Sequence, residues 1–171
     1  MKNYVYIAAS LDGYIARSDG GLDWLSMAEL EGEDYGFYKF YSSMDTIVMG
    51  RKTYETAVNF DPWPYSEKKC TVYTSGNFSA KYNESFFSGS LEELHDHLVK
   101  SGADSVYVDG GQLIQGFLER GYIDEFTVSI LPVILGEGIP LFSKLSKEKK
   151  LTLKHSKSYD TGLVQLCYSI K

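Results

Sequence analysis

The chain has 171 residues, 43% of them hydrophobic and 23% charged, which is near globular averages and too apolar for a disordered segment. One domain usually takes about 100–200 residues, so residues 1–171 are read as a single domain. The net charge of −6, with no basic run, argues against DNA or RNA as the main partner, because backbone binding needs a basic footprint.

Cys70 and Cys167 both lie inside apolar runs without partner spacing. They point to reduced, buried thiols and a cytoplasmic setting, not to a disulfide framework or a zinc site. The longest apolar run, Ile130 to Leu135, is far below the roughly 20 residues of a membrane span, so no membrane partner is expected. The apolar stretch Tyr4 to Ala9 is too short for the core of a leader peptide followed by a cleavage site.

In chain order, Tyr4 to Ala9 reads as a strand that ends at the turn Asp12-Gly13. Phe37, Tyr38, Phe40 and Tyr41 have helical spacing and predict a helix over Glu33 to Ser42, across Gly36. Thr46 to Met49 is a continuous apolar run, the mark of a strand buried on both faces, and Lys52 to Val58 reads as a short helix. Cys70 to Thr74 is the next strand. Ser90-Leu91-Glu92-Glu93 is a capping box that opens a helix to about Lys100. Ser105 to Val108 is a further buried strand, and a helix follows Asp109-Gly110-Gly111 through Glu119. Ile123 to Leu131 is a long strand. Leu151 to Tyr159 and Leu163 to Ile170 flank Asp160-Thr161-Gly162, a hairpin signal. Strands alternate with helices and then finish antiparallel, which is an α/β chain with a mixed, mostly parallel sheet.

Two strand–glycine–helix junctions carry the chemistry: Val48-Met49-Gly50-Arg51-Lys52-Thr53 and Val108-Asp109-Gly110-Gly111-Gln112-Leu113. Each aims free backbone amides and the positive end of a helix at one spot, which favours an anion. Either one alone is equally a tight turn that needs glycine. Two at one sheet edge suit the separate phosphates of a dinucleotide, and open α/β sheets bind ligands at the carboxyl ends of their strands. Neither is the GxGxxG fingerprint of an ordinary Rossmann domain. Arg51 and Lys52 are either solvated charges or partners for an extra phosphate, and the second reading favours NADPH over NADH.

Four segments then stand in order: Ala8-Ala9-Ser10-Leu11-Asp12-Gly13-Tyr14-Ile15-Ala16, Met49 to Glu55, Val108 to Ile114, and Ile123-Asp124-Glu125 through Pro132-Val133-Ile134-Leu135-Gly136-Glu137-Gly138. Together they resemble the dihydrofolate reductase superfamily, in its branch related to the reductase domain of bacterial riboflavin biosynthesis. The resemblance implies a dihydrofolate-reductase-like fold with flanking helices, NADPH as hydride donor, a heterocyclic substrate and a homodimer. It places Ala8 and Ile15 beside the nicotinamide. Gly50, Arg51, Lys52, Thr53, Thr74 and Ser75 would surround the adenosine phosphates, and Gly110, Gly111, Gln112 and Leu113 the pyrophosphate. It implies reduction of a pyrimidine- or pteridine-like ring, first an aminouracil ribosyl compound and second a folate; a non-catalytic NADPH-binding dimer is the rival.

Asp34 falls, without a gap back from Gly50, where dihydrofolate reductases carry the acid near the substrate ring. It is expected as a half-buried catalytic acid with a raised pKa, or else as a helix-start acid in a cluster with Glu31 and Glu33. Thr127 would supply a supporting hydroxyl, and Trp24 and Tyr38 would wall the substrate. Two departures stand out: Lys68-Lys69 replace the arginine of dihydrofolate reductases, and Glu31 to Asp45 holds Lys39 as its single cation. His95, His97 and His155 form no metal-like constellation, and Asp61 to Tyr65 is a pocket rim, a dimer contact or core packing.

Overall fold

The computed structural model describes residues 1–143 and 145–170. Eight strands form one sheet: β1 (Lys2–Ser10), β3 (Thr46–Gly50), β4 (Lys69–Tyr73), β5 (Glu84–Phe87), β6 (Ser105–Asp109), β7 (Glu125–Leu131), β9 (Leu151–Ser158) and β10 (Val164–Ile170). Their order is β5-β4-β3-β6-β1-β7-β10-β9. The first six run parallel, and β10 joins antiparallel to both β7 and β9. The expected mixed, mostly parallel sheet with an antiparallel carboxyl-terminal hairpin is what the chain builds.

Helices cover both faces, which is why the central strands are apolar without alternation. On β3, Val48 faces one core with Leu94, Leu98, Ile114 and Phe117 from α3 (Leu91–Lys100) and α4 (Gly111–Arg120). Ile47 and Met49 face the other, with Tyr54 and Ala57 of α2 (Arg51–Ala57) and Phe40 and Tyr41 of α1 (Phe37–Ser42). Burying each such aliphatic side chain is worth about 1.5–3 kcal/mol. The capping box at α3 is complete: Ser90 Oγ accepts from the Glu93 amide, and Glu93 reaches back to the Ser90 amide. In the loop before β4, the Trp63 indole is buried, stacks on Tyr82 at 5.1 Å and donates to Asn83 Oδ1, while Asp61, Pro62 and Pro64 are exposed. Trp63 is thus core packing.

The helix expected over Glu33 to Ser42 is shorter. Tyr35 and Gly36 adopt φ of 57° and 86°, a left-handed pair that cannot continue a right-handed helix, so α1 starts at Phe37. A 3-10 helix over Asp23–Ala28 was not anticipated, nor were β5 and the small ladder of β2 (Tyr14–Ala16) with β8 (Ile139–Pro140). Among the described residues, no helix is long and apolar enough to cross a membrane.

Asp12 explains two of the quoted segments. Its carboxylate accepts from Ser10 Oγ (2.6 Å), the Leu135 amide (3.1 Å) and the Gly136 amide (2.7 Å). The Ser10 hydroxyl foremost, with these amides, holds the Asp12 pKa below the usual carboxylate range. The Leu11 amide donates to the Val133 carbonyl, and the Leu141 amide to that of Gly13. The turn after β1 and the loop after β7 are therefore tied as one unit. Gly138 completes the tie, since a Cβ there would sit 2.3 Å from the Ala16 carbonyl oxygen. Gly138→Ala is expected to destabilise the chain by about 1–3 kcal/mol, the range of a locally strained backbone; urea unfolding indistinguishable from wild type would refute this account of the loop.

Candidate active site

Parallel β3 and β6 are neighbours in register, with Met49 opposite Asp109, so their glycine junctions emerge side by side. The helices that follow leave toward opposite faces, which opens the crevice where α/β sheets take ligands. Gly110 has φ 97° and ψ 127°, an arrangement open to glycine. A Cβ on Gly110 would lie 2.6 Å from Thr53 Oγ1 and 3.5 Å from the Gly50 amide nitrogen. A Cβ on Gly111 would lie 2.5 Å from Ile15 Cδ1. The structure thus brings Ile15, Gly50, Thr53, Gly110 and Gly111 together. Both N-cap residues are glycines without a side chain to cap with, so among the described residues the amides after Gly50 and Gly110 have no capping side chain from that position.

The other expected cofactor residues flank this ledge. Thr74 and Ser75 follow β4, the neighbour of β3; Thr74 is buried and its Oγ1 accepts from the Gly76 amide, whereas Ser75 is exposed. Gln112 is exposed. Leu113 is buried in the core, so it offers the ledge its backbone amide and not its side chain. Arg51 Nη1 pairs with Glu55 Oε1 at 2.7 Å, and Lys52 is exposed.

Asp109, the last residue of β6, is an addition to the expected site. Its Oδ1 accepts from the Gly110 amide at 2.8 Å. Burial pushes its pKa up from 3.8 to about 6, against the lowering effect of the hydrogen bond from the Gly110 amide. The register that pairs Tyr4 with Tyr107 sets Asp109 level with Tyr6, on the sheet face that also carries Ala8. Its sequence signal is an acid that ends an apolar strand directly before two glycines.

That face holds a cavity of about 380 Å³ floored by Ala8, Leu131 and Leu163, with Glu29, Glu33 and Asp34 among its lining. Its polar wall is built on Gln165, buried on β10. Gln165 Nε2 donates to Tyr6 Oη (2.7 Å), Ser129 Oγ (3.0 Å) and the Tyr35 carbonyl (3.1 Å). The Tyr6 hydroxyl donates to that same carbonyl at 2.6 Å, and burial first of all pushes its pKa to about 12. It remains protonated in neutral water. Ser129, Gln165, Tyr6 and Tyr35 were not anticipated; the available signal was polar residues at inward positions of otherwise apolar strands.

Four expected substrate residues need correction. Asp34 does line the cavity, but it is exposed and precedes α1. Its carboxylate accepts from the Tyr38 and Gly36 amides, each at 2.8 Å, and these bonds lower its pKa, the Tyr38 bond foremost. It is ionised near neutrality, the wrong form to donate a proton. Tyr38 is 75% exposed on the outside of α1 and offers Asp34 its backbone amide alone. Trp24, in the 3-10 helix, is buried against Leu131 and Leu163 and is not on the cavity lining; among the described residues its Nε1 has no partner. Thr127 shares the Ser129 face but is buried further down β7, opposite Cys167, so Ser129 supplies the cavity's hydroxyl. His95 and His97 stack on Tyr122 and Phe87, and among the described residues no cluster could hold a metal.

Residues 4–165 match the RibD C-terminal domain family. The chain is 39% identical over 170 residues to YwjB, an uncharacterized protein of Bacillus subtilis (strain 168), covering 98% of this chain and 97% of that one. The crystal structure of a putative riboflavin biosynthesis protein from Shewanella sp. PV-4 superposes with a TM-score of 0.91 at 36% identity, over 100% of this chain and 99% of the other. A Thermotoga maritima deaminase/5-amino-6-(5-phosphoribosylamino)uracil reductase superposes with a TM-score of 0.74 at 15% identity, and this chain, 99% covered, spans 56% of it. That last likeness is one of fold. By sequence and by architecture, the chain belongs to the RibD C-terminal domain family.

Proposed function

We propose that the chain is an NADPH-dependent reductase of a pyrimidine- or pteridine-like heterocycle, within the riboflavin-type reductases its family suggests. The observation that carries this reading is the ledge itself: two helix starts with glycine N-caps after adjacent parallel strands, kept free of side chains by Gly110 and Gly111, on a sheet that also carries a mostly apolar cavity. Such a ledge fits a pyrophosphate. Arg51 and Lys52 at its rim suit an additional phosphate, and Ile15 over Gly111 offers an apolar cover for a ring.

When bound, the dinucleotide supplies the hydride. The chain's own residues orient the substrate and manage the proton. Ser129, fixed by Gln165, presents its hydroxyl to the polar edge of a ring, while Ala8, Leu131 and Leu163 exclude water from its face. Asp109, level with Tyr6 on the same sheet face and with its pKa raised by burial to about 6, is the chain's candidate proton donor. The free buried thiols Cys70 and Cys167 fit work in a reducing cytoplasm.

Three measurements test this reading. NADPH should bind at least about tenfold more tightly than NADH, the scale of one charge-assisted contact. Calorimetry in which Arg51→Ala leaves that preference intact would remove Arg51 from the site. Gly111→Val should abolish NADPH binding with a normal far-UV spectrum, since Ile15 can swing aside but a ligand on the amides cannot pass a branched Cβ. Retained affinity would put the cofactor elsewhere.

Asp109→Asn should slow reduction by about 10²–10⁴-fold, the usual share of general acid catalysis, with NADPH affinity unchanged. Wild-type turnover should fall as pH rises above about 6. Because the folded-state value lies above the ordinary 3.8, the native state holds more protons than the unfolded chain between about pH 4 and 6. Stability therefore falls as pH rises through that window, and the asparagine variant should lack this slope in chemical unfolding. A pH-independent rate, or equal slopes in the two proteins, would exclude Asp109 as the acid.

A further inference from the structure

The cavity is lined by carboxylates and holds no cation. Glu29, Glu33 and Asp34 stand on its lining, while among the described residues no lysine, arginine or histidine does. Lys39 of α1 is exposed and stands off that lining, and other nearby cations are engaged elsewhere. Arg17 is held by both oxygens of Asp23, at 2.7 and 2.8 Å. Lys68 donates to the Met44 carbonyl and Lys69 to that of Ser101. Lys157 lies 4.1 Å from the centre of the Tyr159 ring.

Backbone donors do not make up the deficit. The amides of Gly36 and Tyr38, around the start of α1, already donate to the Asp34 carboxylate, and the Tyr35 amide donates to Glu33 Oε1 at 2.7 Å. The chain's own carboxylates occupy the positions from which backbone amides would hold a phosphate. What the cavity offers a ligand is an apolar floor and the Ser129 hydroxyl, whose oxygen accepts from Gln165.

We propose that the substrate of this cavity carries no phosphate or other anionic arm: it is a neutral or cationic ring whose substituents end in hydroxyl or amino groups. The proposal rests on the heterocycle reductase reading above and narrows it. It sets this chain apart from the phosphoribosyl compound in the name of the Thermotoga protein. A phosphate dianion entering past Glu29, Glu33 and Asp34 meets like charge along that edge of the mouth and no cation on the described lining to offset it.

The test uses matched probes: a ribosylaminouracil and its 5′-phosphate, and pterin and pterin-6-carboxylate, titrated calorimetrically into the full chain saturated with NADPH. The uncharged member should bind roughly 10- to 100-fold more tightly at low ionic strength. The gap should close in about 1 M salt, where the screening length is ~3 Å. The triple variant Glu29→Gln, Glu33→Gln, Asp34→Asn should narrow it at low salt. Equal or tighter binding of the anionic member in the wild type overturns the inference and leaves the reductase reading in place. A gap that neither salt nor the triple variant moves makes the discrimination steric and overturns its electrostatic basis. Binding of neither member of either pair overturns the cavity as a heterocycle site, and the inference falls with it. The wild-type pairs and their salt dependence decide the matter even if the triple variant does not fold.

Discussion

The arrangement depends on one constraint, the parallel register of β3 against β6. Because Met49 stands opposite Asp109, both strands end at the same level, and the chain must turn into a helix twice within a few ångströms. A side chain at Gly110 would strike Thr53, so the turns can nest only as glycine permits. Unpaired amides at a helix start are ordinarily an expense met by a capping side chain. Here α3 has its capping box and the two helices of the ledge have no side-chain cap. The contrast within one chain sets the ledge's backbone donors apart from those of α3.

The cavity is assembled on a different principle. The ledge is made of backbone, but the cavity's polar wall is made of side chains converging from distant elements. Tyr35 is central to it. Its backbone is held at φ 57°, which costs a non-glycine residue on the order of 1–2 kcal/mol. In return its carbonyl accepts from the Tyr6 hydroxyl, Gln165 Nε2 and the Tyr159 hydroxyl. A strained residue held by three donors, from β1, β10 and the turn after β9, keeps the wall in place before any ligand arrives.

Those two principles decide how much could be read from the sequence. The strands Thr46 to Met49 and Ser105 to Val108 were legible because burial on both faces leaves an uninterrupted apolar run. The capping box and the glycine junctions were legible because their partners lie within a few residues. The short helix after Gly36 was misjudged because the aromatic spacing runs on across a left-handed turn that it does not reveal. β5 escaped notice because its first residue, Glu84, is a buried acid satisfied by Tyr54 and by the Lys81 and Tyr82 amides. The cavity was the least legible part: Gln165 and Tyr6 are 159 positions apart, and no local pattern records their meeting. Asp109 was in plain view as a residue type, but its altered acidity comes from burial, which spacing does not show.

The placement of Trp24 has a practical consequence. The chain contains 2 tryptophans, and they report on separate compartments. Trp63 is stacked in the second core on Tyr82, whereas Trp24 is buried against Leu131 and Leu163, and among the described residues its indole nitrogen has no partner. The floor of the cavity is therefore one side-chain layer away from an intrinsic fluorophore whose polar atom has no competing partner. The chain carries its own optical gauge of what rests on that floor, with Trp63 as an internal reference.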